Sequence, residues 1–133
     1  MTGGVALKGE GADRGVVTAH VVQKRISSHG RIVGIDASAA LTLPGVVAVW
    51  TSADVAEIPP IDFRLTRVEG LAPYRQRILA KDRVRYVGEA VACVVAETAV
   101  QAKDAAEAVE IDIEELPAVT SPAQALASGA PQL

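Results

Sequence analysis

Carboxylates are the most numerous side chains in this sequence that could act as acids, bases or metal ligands. Glu110, Asp112 and Glu114 alternate with isoleucines near the end of the chain. Because successive side chains of a strand point to opposite faces, these three carboxylates would share one face. General acid–base catalysis instead needs a carboxylate placed within reach of a reacting proton. We therefore expect a solvent-facing row rather than a catalytic pair.

One further acid, Glu89, has a different setting, because it follows Gly88 and precedes the apolar run 90–96. A carboxylate beside a buried run could serve as a general base. A hydrogen bond to the backbone of the turn, or an ion pair with Arg85 or Arg83, accounts for the same position more economically. We expect Glu89 to support the structure or an interface and not to catalyse a reaction.

The histidines and the single cysteine predict neither a metal site nor a nucleophile. His20 and His29 are nine residues apart and have no carboxylate or cysteine at ligand spacing, so we expect ordinary surface or turn histidines. His29 is the better of two weak ligand candidates because it lies in a polar turn. Cys93 lies within an apolar run, where desolvation raises the pKa of a thiol and makes it inert. Glycine-rich phosphate loops and a nucleophile elbow are missing as well. The predicted site contains no catalytic, cofactor-binding or metal-binding residue.

Charge is unevenly distributed along the chain. Residues 64–85 carry seven basic side chains against two acids, and residues 97–115 carry seven acids against one lysine. Two interpretations remain open: two solvated faces of one domain, or a face that meets another subunit or domain. The basic side chains of the first segment are Arg64, Arg67, Arg75, Arg77, Lys81, Arg83 and Arg85.

Length and composition are typical of one domain with a single core. The chain has 133 residues, half of them hydrophobic, and its 24 alanines and 19 valines suit closely packed strands and helices. The net charge of −3 argues against a nucleic-acid partner. The longest apolar run, 90–96, is too short to span a membrane, and no secretory signal is recognisable, so we expect a cytoplasmic protein.

Hydrophobic periodicity and turn residues predict the order of the elements. Strands are predicted at 15–23, 31–35, 46–50, 83–87, 90–96 and 110–114, and helices at 37–41, 98–109 and 121–128. Thr98 with Gln101 and Ser121 with Gln124 fit capping boxes. The order predicts an α+β fold with helices packed on a mixed sheet, including a right-handed crossover over 90–115.

The predicted domain organisation is a flexible lead-in at 1–14, a single domain at 15–128 and a tail at 129–133. Within the domain, residues 58–77 contain prolines and glycine and show little periodicity. A loop of this length is often functional or bound by a partner.

Several segments together resemble a known family. They are Arg-Ile-Val-Gly-Ile-Asp at 31–36, Leu-Thr-Leu-Pro-Gly-Val-Val-Ala-Val at 41–49, Arg-Val-Arg-Tyr-Val-Gly-Glu-Ala-Val-Ala at 83–92 and Asp-Ala-Ala-Glu-Ala-Val-Glu-Ile-Asp at 104–112. In this order they resemble the N-terminal α/β-hammerhead domain of molybdenum hydroxylase large subunits, the family of xanthine dehydrogenase, aldehyde oxidase and carbon monoxide dehydrogenase. The resemblance covers about 15–126, and its most specific part is 83–92.

This resemblance implies an α/β-hammerhead fold within a large oxidoreductase. Enzymes of that family hydroxylate carbon centres with oxygen from water by means of molybdopterin, and pass electrons through iron–sulfur clusters and usually FAD. Their molybdopterin ligands and catalytic glutamate belong to other domains, so the resemblance implies no cofactor in this chain. Glu89 matches the hammerhead's own Val-Gly-Glu segment and receives no catalytic role.

The sequence thus predicts a non-catalytic structural or assembly domain, inactive alone, whose partners are the remaining domains or subunits of a molybdenum hydroxylase. Departures from the family pattern at 25–31 and at Ala90 motivate an alternative, a free-standing module that binds a small molecule or a protein. Apolar surface in the 58–77 loop could also promote self-association. The predicted interface residues are Arg64, Arg67, Arg75, Arg77, Arg83, Arg85, Gly88 and Glu89.

Overall fold

A computed structural model of the chain describes residues 5–7, 17–23, 29–62 and 75–131. Its strands are β1 (Val5–Leu7), β2 (Val17–Gln23), β3 (Gly30–Asp36), β4 (Val46–Trp50), β5 (Ile61–Asp62), β6 (Arg75–Gln76), β7 (Arg83–Val84), β8 (Ala90–Ala96) and β9 (Glu110–Glu115). Its helices are α1 (Ser38–Leu41), α2 (Ala99–Glu107) and α3 (Pro122–Ala125). The short strand β1 lies in the predicted lead-in, where the sequence analysis predicted no element.

The strands form a four-stranded sheet in the order β1-β2-β8-β4, a three-stranded sheet in the order β7-β3-β9, and the pair β5-β6. This arrangement of sheets and helices confirms the α+β class. Every strand pair in the described ranges is antiparallel, where the sequence analysis expected a mixed sheet. The predicted right-handed crossover over 90–115 is wrong, because the two strands that flank α2 belong to different sheets.

The four-stranded sheet is organised around β8. This apolar strand, predicted at 90–96, pairs with β2 on one side and β4 on the other and is therefore a central strand. Val91 and Val94 are among the largest fully buried side chains of the described residues. Alanines and valines dominate the core around them, because small side chains let the helix and the sheets approach closely.

The helix α2 packs on β2 and β8 through small side chains. Ala102, Ala105 and Ala106 are buried, whereas Ala99 is exposed in the first turn. Thr98 caps the helix by accepting a hydrogen bond from the backbone N–H of Gln101 at 3.3 Å, as predicted. The Gln101 side chain accepts from the Thr98 hydroxyl at 2.9 Å instead of returning to a backbone N–H.

The three-stranded sheet presents its charged side chains outward. Ile111 is buried, while the side chains of Glu110, Asp112 and Glu114 are exposed, which confirms the predicted solvent-facing row. Arg31 on β3 donates from Nε to Glu114 at 2.9 Å, so the row is partly neutralised across the strands.

Two predicted elements are shorter than expected. The strand predicted at 83–87 ends at Val84, because the chain then turns towards Glu89, and the helix predicted at 121–128 covers only Pro122–Ala125. In the predicted loop 58–77, the ends form β5 and β6, which pair with each other, and residues 63–74 lie outside the described residues.

A tight turn before β4 places Gly45 against α2. Gly45 has a φ of +77°, in the left-handed region, and its carbonyl accepts the Glu97 N–H at 2.9 Å. A Cβ at this position would lie 2.6 Å from Oε1 of Gln101, so a side chain would displace the glutamine from the Thr98 hydroxyl.

We predict that Gly45→Ala lowers the free energy of unfolding by about 1–2 kcal/mol, because alanine is strained at positive φ. Urea unfolding followed by circular dichroism measures the change. Gly34→Ala is the control, since a Cβ at Gly34 meets nothing within 4 Å. Equal stability of the two variants would contradict the assigned turn.

Candidate functional site

The structure separates the predicted interface residues into two groups. Arg75 and Arg77 are exposed at the surface, whereas Arg85 is only partly exposed and Glu89 is buried. Arg83 is half-buried on β7, opposite Arg31 of β3. Arg64 and Arg67 lie outside the described residues. The predicted set therefore includes an external group of cations and an internal turn.

The internal turn is held together by Glu89. Its carboxylate accepts a hydrogen bond from the backbone N–H of Arg85 at 2.5 Å and lies 3.4 Å from the Arg85 guanidinium. Gly88 has a φ of +88°, which closes the turn where a side chain would be strained. The predicted bond to the turn backbone and the predicted pairing with Arg85 are both confirmed. Glu89 is only 5% exposed, so its carboxylate serves the turn and not the surface.

At the tip of this turn, Tyr86 and Val87 are 41% and 54% exposed. The Tyr86 hydroxyl accepts a hydrogen bond from Nε2 of Gln76 at 3.0 Å, which connects the tip to β6. These two residues were not among the predicted interface residues, although they precede Gly88 in the most family-specific segment. Tyr86 and Val87 are exposed because the chain turns here. Hydrophobic periodicity does not predict this turn.

Further exposed side chains lie on β5, on β6 and on the residues that follow β6. Ile61 pairs with Gln76 across β5 and β6, and Arg77 and Ile78 line a depression of about 70 Å³ next to Ile58. That volume is well below the roughly 300 Å³ at which small-molecule pockets begin. We call this region the Arg77 surface; its members are Ile61, Arg75, Arg77, Ile78, Tyr86 and Val87. A mixture of aromatic, aliphatic and arginine side chains is typical of protein interfaces.

A larger groove of about 350 Å³ lies between β2 and α2, lined by Thr18, His20, Val100, Lys103 and Asp104 among others. Lys103 and Asp104 are both exposed, and their opposite charges compensate. None of these five side chains is buried, so the groove offers no desolvated polar group to orient a ligand.

His29 is buried, at 4% exposure, so the expectation of a surface histidine is wrong for this residue, although it lies at a bend directly before β3. Its Nδ1 lies 2.8 Å from the carbonyl oxygen of Pro117, and its own carbonyl accepts the N–H of Leu116 at 3.0 Å. The chain after β9 thus covers the start of β3. Within the described ranges, no group of three or more histidine, cysteine, aspartate or glutamate side chains could hold a metal ion.

Cys93 lies in the middle of β8, opposite Val21 on β2 and Trp50 on β4. Burial raises the pKa of its thiol, as predicted. The side chain is nevertheless only half-buried, because its neighbours Val21 and Trp50 leave this row of the sheet partly open.

No helix in the described part of the chain is long and apolar enough to cross a membrane.

Comparison with known proteins identifies a family model described as the a/b hammerhead domain of aldehyde oxidase and xanthine dehydrogenase, which matches residues 17–117. The chain is 43% identical over 104 residues to the nicotine 6-hydroxylase large subunit of Paenarthrobacter nicotinovorans, covering 77% of this chain and 13% of that protein. It is 40% identical over 118 residues to the xanthine dehydrogenase molybdenum-binding subunit of Escherichia coli O157:H7, covering 87% of this chain and 16% of that protein.

Among solved structures, quinoline 2-oxidoreductase from Pseudomonas putida 86 superimposes with a TM-score of 0.75 at 43% identity, over 81% of this chain and 14% of that one. The chain therefore spans only 13% to 16% of the length of these three relatives.

We predict that Glu89→Ala lowers the free energy of unfolding by about 2–3 kcal/mol, because the partly buried backbone N–H and guanidinium of Arg85 lose their acceptor. Chemical unfolding measures the loss. Glu107→Ala, at an exposed helix position, is the control and should stay within about 0.5 kcal/mol of wild type. A loss at Glu89 no larger than at Glu107 would show that the turn does not depend on the carboxylate.

We also predict that Cys93 in the folded chain reacts with iodoacetamide at half its maximal rate at a higher pH than in the chain unfolded by urea. The thiolate is the nucleophile, and burial raises the pKa of this thiol. Folding stability should accordingly fall as the pH rises from the ordinary thiol pKa to the raised one. Coinciding midpoints for the folded and unfolded chain would refute the prediction.

Proposed function

Because the chain belongs to the aldehyde oxidase and xanthine dehydrogenase a/b hammerhead domain family, we propose that it is a non-catalytic structural domain that helps to assemble a molybdenum hydroxylase. The family resemblance and the α/β-hammerhead fold that the sequence implied are both confirmed. The assembly role, the inactivity of the chain alone, its single-domain extent over 15–128 and a cytoplasmic location are parts of the proposal.

The observation that carries the proposal is that the buried polar side chains bind backbone of the same domain. Within the described ranges the buried polar side chains are His29 and Glu89, and each of them binds backbone of its own domain. A catalytic carboxylate or histidine must instead face a reacting group. The outside of the domain combines arginines with large apolar side chains, as an interface does.

We propose that the molybdopterin that the family implies is held by other parts of the enzyme. The described residues contain no cluster of metal-ligating side chains, and the Glu89 carboxylate and Nδ1 of His29 bind backbone of their own domain. A single cysteine cannot supply the four thiolates of an iron–sulfur cluster. We therefore assign the cofactors to other parts of the enzyme, and the xanthine dehydrogenase relative is itself named a molybdenum-binding subunit.

The Arg77 surface is the proposed contact with the rest of the enzyme. Its exposed arginines would meet acidic side chains at the rim of a partner surface, while Ile78, Tyr86 and Val87 would fill apolar positions. Gly88, Glu89 and Arg85 contribute from inside the domain by fixing the tip of the turn. Arg64 and Arg67 remain members of the proposed basic interface and lie outside the described residues, while Arg83 stands beside it on β7.

A free-standing binding module is the second candidate function. The groove of about 350 Å³ between β2 and α2 favours it, because that volume falls within the range of small-molecule sites. A thermal-shift screen with small molecules and with subunit fractions separates the two functions. Stabilisation by a small molecule, lost in Lys103→Glu, would support the module.

We predict that the chain co-elutes at micromolar concentration with the large subunit of a molybdenum hydroxylase from the same cells that is produced without its hammerhead domain. The double change Arg75→Glu and Arg77→Glu should weaken this association at least about tenfold, because like charges would then face each other. Lys103→Glu, on the opposite acidic segment, is the control and should bind as wild type. Failure of the wild-type chain to associate would overturn the proposed function. Equal binding by the wild-type chain, the double variant and Lys103→Glu would show that Arg75 and Arg77 do not belong to the interface.

A further inference from the structure

The four-stranded sheet has two faces of different character. The helix α2 contacts β2 and β8, and its Ala105 and Ala106 form one core cluster with Val22 of β2 and Val94 of β8. Since side chains alternate along a strand, α2 covers the face of β2 that carries the even-numbered residues. The short helix α1 contacts both β4 and α2 and so lies on the same side.

The opposite face of this sheet is apolar. Because of the strand register, two neighbouring rows of three side chains run across β2, β8 and β4 on this face. The rows are Val21, Cys93 and Trp50, and Ala19, Val95 and Ala48. We call these six residues the Trp50 face; none of them carries a charge.

The Trp50 face is incompletely covered. Val95 at its centre is buried, but Val21 and Trp50 are 39% and 38% exposed, and Ala19, Ala48 and Cys93 are partly exposed. Among the helices and strands that the structure describes, those with substantial contacts to this sheet from outside it are α1 and α2, both on the other side. The Trp50 side chain is thus left partly in solvent among these six uncharged residues.

We propose that the Trp50 face is a docking surface for an apolar surface on another part of the molybdenum hydroxylase to which this domain belongs. The inference rests on the proposed function. An interface that is permanent resembles a core cut in half, with apolar side chains and few charges, as on this face. The matched segment is only 13% to 16% of the length of its relatives, so most of such an enzyme lies outside it and is available as the occupant.

A second copy of the chain fits this face less well. Six mostly small side chains provide only part of the roughly 800 Å² per partner that a stable independent interface requires. The rest of the enzyme can contact the Trp50 face together with other surfaces of the domain. Lipid headgroups are disfavoured because the six residues include no lysine or arginine to attract them.

The face contains its own reporters, because Trp50 is the single tryptophan of the chain and Cys93 the single cysteine. The two lie directly opposite each other on neighbouring strands. In the complete 133-residue chain we would measure acrylamide quenching of Trp50 and alkylation of Cys93 by iodoacetamide. Both are then repeated after addition of the large subunit that lacks its hammerhead domain.

We expect the large subunit to slow alkylation of Cys93 at least about tenfold and to reduce quenching of Trp50 about twofold, because an interface core excludes water. Val21→Glu would place a charge in the same row and should weaken association at least about tenfold. Val100→Glu is the matched control, because Val100 lies on the exposed side of α2, and it should associate as wild type. Thermal unfolding of both variants confirms that they fold.

The outcomes separate this inference from the proposed function. Association without shielding of Trp50 and Cys93, or with full binding by Val21→Glu, overturns the docking face and leaves the structural role intact. Absence of association by the wild-type chain overturns both. Shielding in the chain alone also overturns the inference: a dependence on protein concentration would identify a second copy as the occupant, and its absence would identify the chain's own residues.

Discussion

The strand β8 imposes the constraint on which the rest of this domain depends. It is apolar along its whole length and pairs on both edges, so its side chains need cover on both faces of the four-stranded sheet. The alanines of α2 supply that cover on one face because they allow the helix to approach closely. On the other face the row of Val21, Cys93 and Trp50 stays partly open. We propose that other parts of a larger enzyme complete that cover.

A second constraint is the turn that leads into β8. The carboxylate of Glu89 binds the backbone and guanidinium of Arg85, and Gly88 supplies the positive φ that the turn requires. The polar chemistry of the most family-specific segment is therefore used to hold Tyr86 and Val87 at the surface. The Glu89 carboxylate is thus engaged by its own turn.

Much of the fold and less of the site could be predicted from the sequence. The apolar run of β8, the alternation of β9 and the Thr98 cap follow local rules, and each is found where those rules place it. The bonds of Glu89 were also predictable, because its partner Arg85 is only four residues away. The buried His29 was not predictable, since its cover comes from Pro117, 88 residues further along the chain.

The sequence by itself determined the family, the central strand, the helix caps and the segregation of charge, because each depends on residue types and short spacings. Only the tertiary structure decided which strands share a sheet. The strands β8 and β9 belong to different sheets, although only α2 and short connections lie between them in the sequence. It also decided which arginines reach solvent and brought the single tryptophan and the single cysteine together. These features depend on contacts between distant parts of the chain, and periodicity carries no information about such contacts.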